Sequence, residues 1–176
     1  QLKEAGYATW AFTSLGLVAN SADFRPLFEG FDVADPAGVM EHRPGVETVA
    51  ALTKQLELRE EGAPPFLAWL FLMDAHAPYD GDPERPDPDG DDLSRYDGEI
   101  RAADRAVGHA LDALRRRGLE DSTMIIVHAD HGEAFGEHGA SWHGSSVHEE
   151  QARIPLVIHV PGLGAGRCDA PVDLSD

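Results

Sequence analysis

Two short stretches carry side chains that could act together on an anion. One is Asp74-Ala75-His76-Ala77-Pro78-Tyr79. The other is Asp130-His131-Gly132-Glu133, continued by Gly136-Glu137-His138-Gly139 and Trp142-His143-Gly144. An Asp followed directly by a His can aim a carboxylate oxygen and an imidazole nitrogen at one cation, and a glycine after them lets the backbone turn sharply beneath. Asp130 and His131 are therefore candidate metal ligands, although a turn cap at Asp130 and a polar contact at His131 explain an isolated tripeptide at least as well. His76 and His143 put further imidazoles in the two stretches. His138 reads as a loop-shaping residue, while His109, His128, His148 and His159 occupy ordinary helix or strand positions.

Groups that react in open α/β sheets gather just beyond the carboxyl ends of strands, so strands must precede both stretches. The continuous apolar run 66–73 precedes the first and reads as a strand buried on both faces. The run 123–128 precedes the second. Residues 7–13 form another such run, followed by a loop with Asn20, Pro26 and Gly30; residues 154–160 form a fourth, closed by Pro161-Gly162. After Pro44-Gly45, Val49, Leu52 and Leu56 fall at helical spacing within 46–58, and Gly62 and Pro64-Pro65 stop that helix. Over 93–117, Ile100, Ala103, Val107, Ala110, Leu111 and Leu114 make one apolar stripe, with Arg115, Arg116 and Arg117 in the last turn and Gly118 beyond. Strands alternating with helices predict an α/β fold with a largely parallel sheet flanked by helices, in one partial domain over 1–176. The Pro/Asp/Gly-rich stretch 80–92 reads as a solvated surface loop; its Asp87, Asp89 and Asp91 lack the closing Glu of a calcium-binding EF-hand.

Fourteen basic against 32 acidic residues give a formal net charge of −18. That field disfavours nucleic acid and anionic membrane surfaces as partners. It also means that a small anionic substrate needs a locally positive site, supplied by a metal or by some of the nine histidines. The single Cys168, followed by Asp169-Ala170-Pro171, has no internal disulfide partner and no sign of an activated thiol. No apolar run reaches the ~18 residues of a membrane span. A chain that opens at Gln1 reads as part of a longer domain.

The ordered set Tyr96-Asp97-Gly98-Glu99-Ile100, Asp130-His131-Gly132-Glu133, Gly136-Glu137-His138-Gly139 and Glu149-Glu150 ahead of Arg153-Ile154-Pro155-Leu156 resembles the sulfatase family of the alkaline phosphatase-like superfamily. The resemblance runs from about Leu2 to the end, with Gly6-Tyr7 and Phe28-Glu29-Gly30-Phe31-Asp32 as weaker upstream echoes. It implies that Asp130 and His131 match a late pair of metal ligands. It also implies that His76 matches the His of a motif ending in His-x-Pro-Tyr, which contacts the sulfate or the leaving-group oxygen. His143 stands where many members have Lys. A protonated imidazole there can still donate a hydrogen bond to a dianion, neutralise developing charge and deliver a proton.

The family's nucleophile, a Cys or Ser in a Cys/Ser-x-Pro-x-Arg motif, and its early acidic ligands do not occur in these 176 residues; Arg25-Pro26, Arg43-Pro44 and Cys168 do not fit. What the resemblance implies is hydrolysis of a small-molecule or saccharide sulfate ester in the intact protein, outside the cytoplasm (periplasmic or extracellular), with this stretch inactive alone. The implied cofactor is one divalent ion. Ca2+ comes first, with Mn2+, Mg2+ and Zn2+ open because an imidazole ligand suits softer ions than an all-oxygen shell does. Two alternatives stand beside it: a phosphate or phosphonate ester hydrolase or phosphoryl-group transferase of the same superfamily, and a non-catalytic relative or binding module.

Overall fold

The strand at the centre of the parallel sheet, β1 (Ala8–Thr13), is an apolar segment with Trp10, Ala11, Phe12 and Thr13 all buried. It pairs in parallel with β2 (Val33–Pro36) on one side and β3 (Phe66–Phe71) on the other, so that Thr13 stands opposite both Pro36 and Phe71. The computed structural model describes residues 1–16, 30–36, 42–170 and 172–173; the loop around Asn20 and Pro26, the Arg25-Pro26 step and Phe28-Glu29 lie outside the described residues. The chain forms two compact units, Gln1–Gly118 and Leu119–Asp176.

In the first unit, helix α1 (Gly45–Glu57) buries Thr48, Val49, Leu52 and Leu56, the face that the helical spacing predicts, and packs on β1 and β3. The long helix α2 (Asp92–Arg116) packs on α1. Asp91 caps it by accepting the Ser94 backbone N–H at 2.9 Å, and Gly118 just past its end takes the left-handed φ of 64° that glycine adopts without strain. Of the expected stripe, the fully buried face of α2 keeps only Leu114, with Ala103, Val107, Ala110 and Leu111 half-buried. Gly98, Glu99, Ala102, Ala106, Ala113 and Leu114 are buried, whereas Ile100 is exposed. Small side chains let a helix backbone approach its neighbour closely, and that outranks the bulkier residues one position away. The β3 strand, expected to be buried on both faces, is half-buried along most of its length.

In the second unit, β4 (Ile125–His128) pairs antiparallel with β7 (Leu156–His159), and the two-residue strands β5 (Ala134–Phe135) and β6 (Ser141–Trp142) form a small hairpin. A single-turn helix α3 (Glu149–Ala152) precedes β7. Among the described residues no helix is long and apolar enough to cross a membrane.

Candidate functional site

In the first unit the chemistry lies past the carboxyl ends of the parallel strands, as the open-sheet rule requires. The Arg43 guanidinium ties these ends together. Nη1 donates to Asp35 Oδ1 at 3.1 Å, Nη2 to the carbonyls of Thr13 and Asp35 at 3.0 Å each, and Nε to Thr48 Oγ1 at 3.1 Å. Beyond β3, Asp74 Oδ1 accepts the Gly45 N–H at 3.0 Å and so caps α1 from another element. A side chain at Gly45 would place its Cβ 2.4 Å from Asp74 Oδ2, so the capping carboxylate would have to move aside.

His76 follows two residues later, with Nδ1 2.7 Å from the Ala77 carbonyl. A carbonyl only accepts, so Nδ1 carries the proton. His42, which the sequence did not single out, lies edge-on to His76 with ring centroids 5.7 Å apart.

The loop after His76 is clamped by one face of α2. Buried Tyr79 meets Tyr96 edge to face at 5.7 Å. Glu99 Oε1 accepts the backbone N–H of Asp80 at 2.7 Å and of Gly81 at 3.4 Å. At Gly98 a Cβ would sit 2.6 Å from the Asp82 nitrogen, so the loop rides directly on the helix backbone. Asp82, placed by its sequence in a solvated loop, is buried and accepts both arms of the Arg105 fork at 2.8 and 2.6 Å. Arg105 holds its carboxyl down at about 2. Burial pushes the Glu99 carboxyl up to about 7 against the pull of its two N–H donors, and the charges of Asp80 and Asp74 add to the rise. The sequence showed Glu99 only as part of a motif; its anchoring of the His76 loop is a tertiary fact.

In the second unit, Asp130 and His131 follow β4 immediately. His131 Nδ1 lies 2.8 Å from the Gly132 carbonyl, which puts the proton of the neutral ring on Nδ1 and the lone pair on Nε2, the form a metal takes. That Nε2 is 3.8 Å from Asp130 Oδ1, and both side chains are well exposed. Two donors so spaced can share one ion at roughly 2.1–2.4 Å from each. The pair therefore fits as part of a ligand set, and among the described residues no group of three or more His, Cys, Asp or Glu is arranged to hold a metal. Gly132 serves a different purpose from the sharp turn expected of it. Its φ is not left-handed; instead its Cβ would fall 2.2 Å from the Glu150 carbonyl oxygen, and its N–H donates to the Gln151 carbonyl at 2.8 Å.

His143 is brought beside this pair by the β5–β6 hairpin. Its ring stacks on that of His131 with centroids 4.0 Å apart and planes 24° apart. Its Nδ1 lies 3.1 and 3.2 Å from the two oxygens of Glu133, whose side chain is only 5% exposed. His138, at a left-handed φ of 52°, bonds Glu150 Oε1 at 2.9 Å and stacks on His148 with centroids 3.9 Å apart. That hydrogen bond holds the Glu150 carboxyl below its ordinary range. Gln151 accepts the N–H groups of Ser145 and Ser146 at 3.2 and 3.1 Å. The single-turn helix thus braces the loop that presents His143. Sequence reasoning missed the Glu133–His143 pair, because ten residues separate the partners and strands of two residues leave no periodic signal. The structure brings Asp130, His131 and His143 together in the second unit and places His76 in the first.

Comparison with known proteins gives the class first. A protein of the alkaline phosphatase superfamily from Vibrio parahaemolyticus superposes with a TM-score of 0.67 at 22% identity, over 92% of this chain and 40% of that one; the fold is alkaline phosphatase-like. Residues 1–176 match the Sulfatase family, and the chain belongs to it. A choline-sulfatase of Rhizobium meliloti (strain 1021) is 38% identical over 71 residues, 40% of this chain and 14% of the relative. A lipoteichoic acid synthase-like protein, YvgJ, of Bacillus subtilis (strain 168) is 29% identical over 140 residues, 68% of this chain and 22% of the relative. The chain thus spans a minor part of the curated relatives it matches.

Proposed function

We propose that the protein hydrolyses the sulfate ester of a small molecule or saccharide, with one divalent cation held in part by Asp130 and His131. The observation that carries this reading is the convergence of Asp130 Oδ1 and the His131 Nε2 lone pair directly after β4, 3.8 Å apart, within a chain of the sulfatase family. When bound, such an ion supplies Lewis-acid polarisation of the sulfuryl oxygens. His143, stacked on His131, donates from Nε2 to the anion or to the departing alkoxide oxygen when its ring is protonated. His76, whose Nδ1 proton is set by the Ala77 carbonyl, is the anion-contacting candidate of the first unit, on the loop that α2 clamps, and donates from Nε2 when its ring is protonated. Calcium is the first candidate ion; manganese, magnesium and zinc suit the imidazole ligand.

A second reading, transfer or hydrolysis of a phosphoryl group, is favoured by the B. subtilis lipoteichoic acid synthase-like relative, whose alignment covers 68% of this chain. Turnover of 4-nitrophenyl sulfate and 4-nitrophenyl phosphate by the full-length protein, after chelation and after return of each ion, separates the two. Asp130→Ala and His131→Ala are expected to abolish the ion-dependent rate. Retained ion binding and turnover in both variants would sink the metal assignment.

A further inference from the structure

We propose that Glu133 is a positioning residue that fixes the ring of His143, and through ring stacking that of His131. The proposal rests on the reading of His143 as an anion-facing group. Three observations in the second unit support it. First, the Glu133 side chain is 5% exposed, yet both its oxygens lie within 3.2 Å of the same imidazole nitrogen, His143 Nδ1. Burying a carboxylate is expensive unless it is paired, and His143 Nδ1 stands within hydrogen-bonding reach of both oxygens. Second, a carboxylate that accepts from Nδ1–H fixes both that proton's position and the plane of the ring, and leaves Nε2 as the nitrogen that faces the site. Third, the backbone is bent to deliver the ring. Trp142 has a left-handed φ of 68° and Gly144 one of 76°, on either side of His143. For a bulky residue such as Trp142 that conformation is strained, and strain of this kind persists only where surrounding structure enforces it.

The stack carries the constraint further. With centroids 4.0 Å apart and planes 24° apart, the rings of His143 and His131 are in face contact, so the orientation of one bears on the other. His131 is itself set by the Gly132 carbonyl at 2.8 Å. Glu133, two residues after His131, therefore acts on the site through the imidazole of His143. A carboxylate behind a functional imidazole is the usual means by which outer groups fix the tautomer and aim of such a ring.

The test uses the full-length protein labelled with 15N-histidine, in wild type, E133Q and E133D. Nitrogen shifts distinguish an Nδ1–H ring from an Nε2–H ring and need no substrate. Wild-type His143, assigned by the signal lost in His143→Gln, is expected to carry its proton on Nδ1. In E133Q the amide accepts or donates equally well, and the preference for Nδ1 is lost. On 4-nitrophenyl sulfate, with 4-nitrophenyl phosphate in parallel, E133Q is expected to lower kcat roughly 10–100-fold with little change in KM. E133D, which keeps the charge, recovers part of the loss. A wild-type His143 with no proton on Nδ1, or an E133Q variant with wild-type spectrum and kcat, overturns the proposal. If the wild type hydrolyses neither ester, the functional reading fails on its own, and the spectra of wild type and E133Q decide Glu133 alone.

Discussion

Replacing Glu99 with Gln isolates the charge of a group that holds the His76 loop. Glu99 is buried, its Oε1 accepts the N–H groups of Asp80 and Gly81, and its Oε2 has no hydrogen-bond partner among the described residues. Its carboxyl is raised from 4.5 to about 7. The folded protein therefore holds this proton more tightly than the unfolded chain does. The stabilising contribution is complete below about pH 4.5, fades as pH rises and is lost above about 7. At about 1.4 kcal/mol per tenfold change in proton affinity, the full displacement sets an upper bound of about 3.5 kcal/mol, and solvent screening brings the expected effect to roughly 1–2 kcal/mol. Gln is neutral at every pH and keeps an oxygen for the Asp80 N–H. The difference in unfolding free energy between E99Q and wild type should thus move by that amount in favour of E99Q from pH 5 to pH 8. Urea unfolding at several pH values measures it, and taking the difference cancels every other titrating group. A difference that stays flat across the range, or moves in favour of wild type, refutes the reasoning.

Gly132→Ala places a Cβ 2.2 Å from the Glu150 carbonyl oxygen and 3.4 Å from that of Arg153. Backbone must shift to relieve this, so thermal unfolding should register a loss of about 1–3 kcal/mol, and calorimetric titration with divalent ions should show weakened binding at Asp130 and His131. Ala106→Leu inserts bulk at a fully buried position of α2 and should also destabilise by about 1–3 kcal/mol in urea. Ile100→Ala, on the exposed side of the same helix, should change stability by no more than about 0.5 kcal/mol. Equal effects from these two substitutions would contradict the packing of α2 described above.

The sequence by itself determined the elements whose signal is periodic and local. The apolar runs gave β1, β3, β4 and β7 within a few residues; Val49, Leu52 and Leu56 gave α1; the three arginines and Gly118 gave the end of α2. Ordered motifs such as Asp130-His131-Gly132-Glu133 gave the family, because their residue types lie adjacent in the chain. Tertiary structure alone decided what depends on who the neighbour is. Hydropathy placed the seam of α2 on the stripe from Ile100 to Leu114, but close approach selected Gly98, Ala102 and Ala106 beside Leu114. The β4 and β7 strands read as buried, yet Ile126, Val157 and Ile158 are more than half exposed, since burial belongs to whatever covers a strand and not to the strand. Asp82 sits in a polar stretch and is buried because Arg105 reaches it from α2. Glu133 and His143 carry no mark of each other along the chain; a hairpin of two-residue strands closes the ten residues between them and turns two separate side chains into one hydrogen-bonded pair.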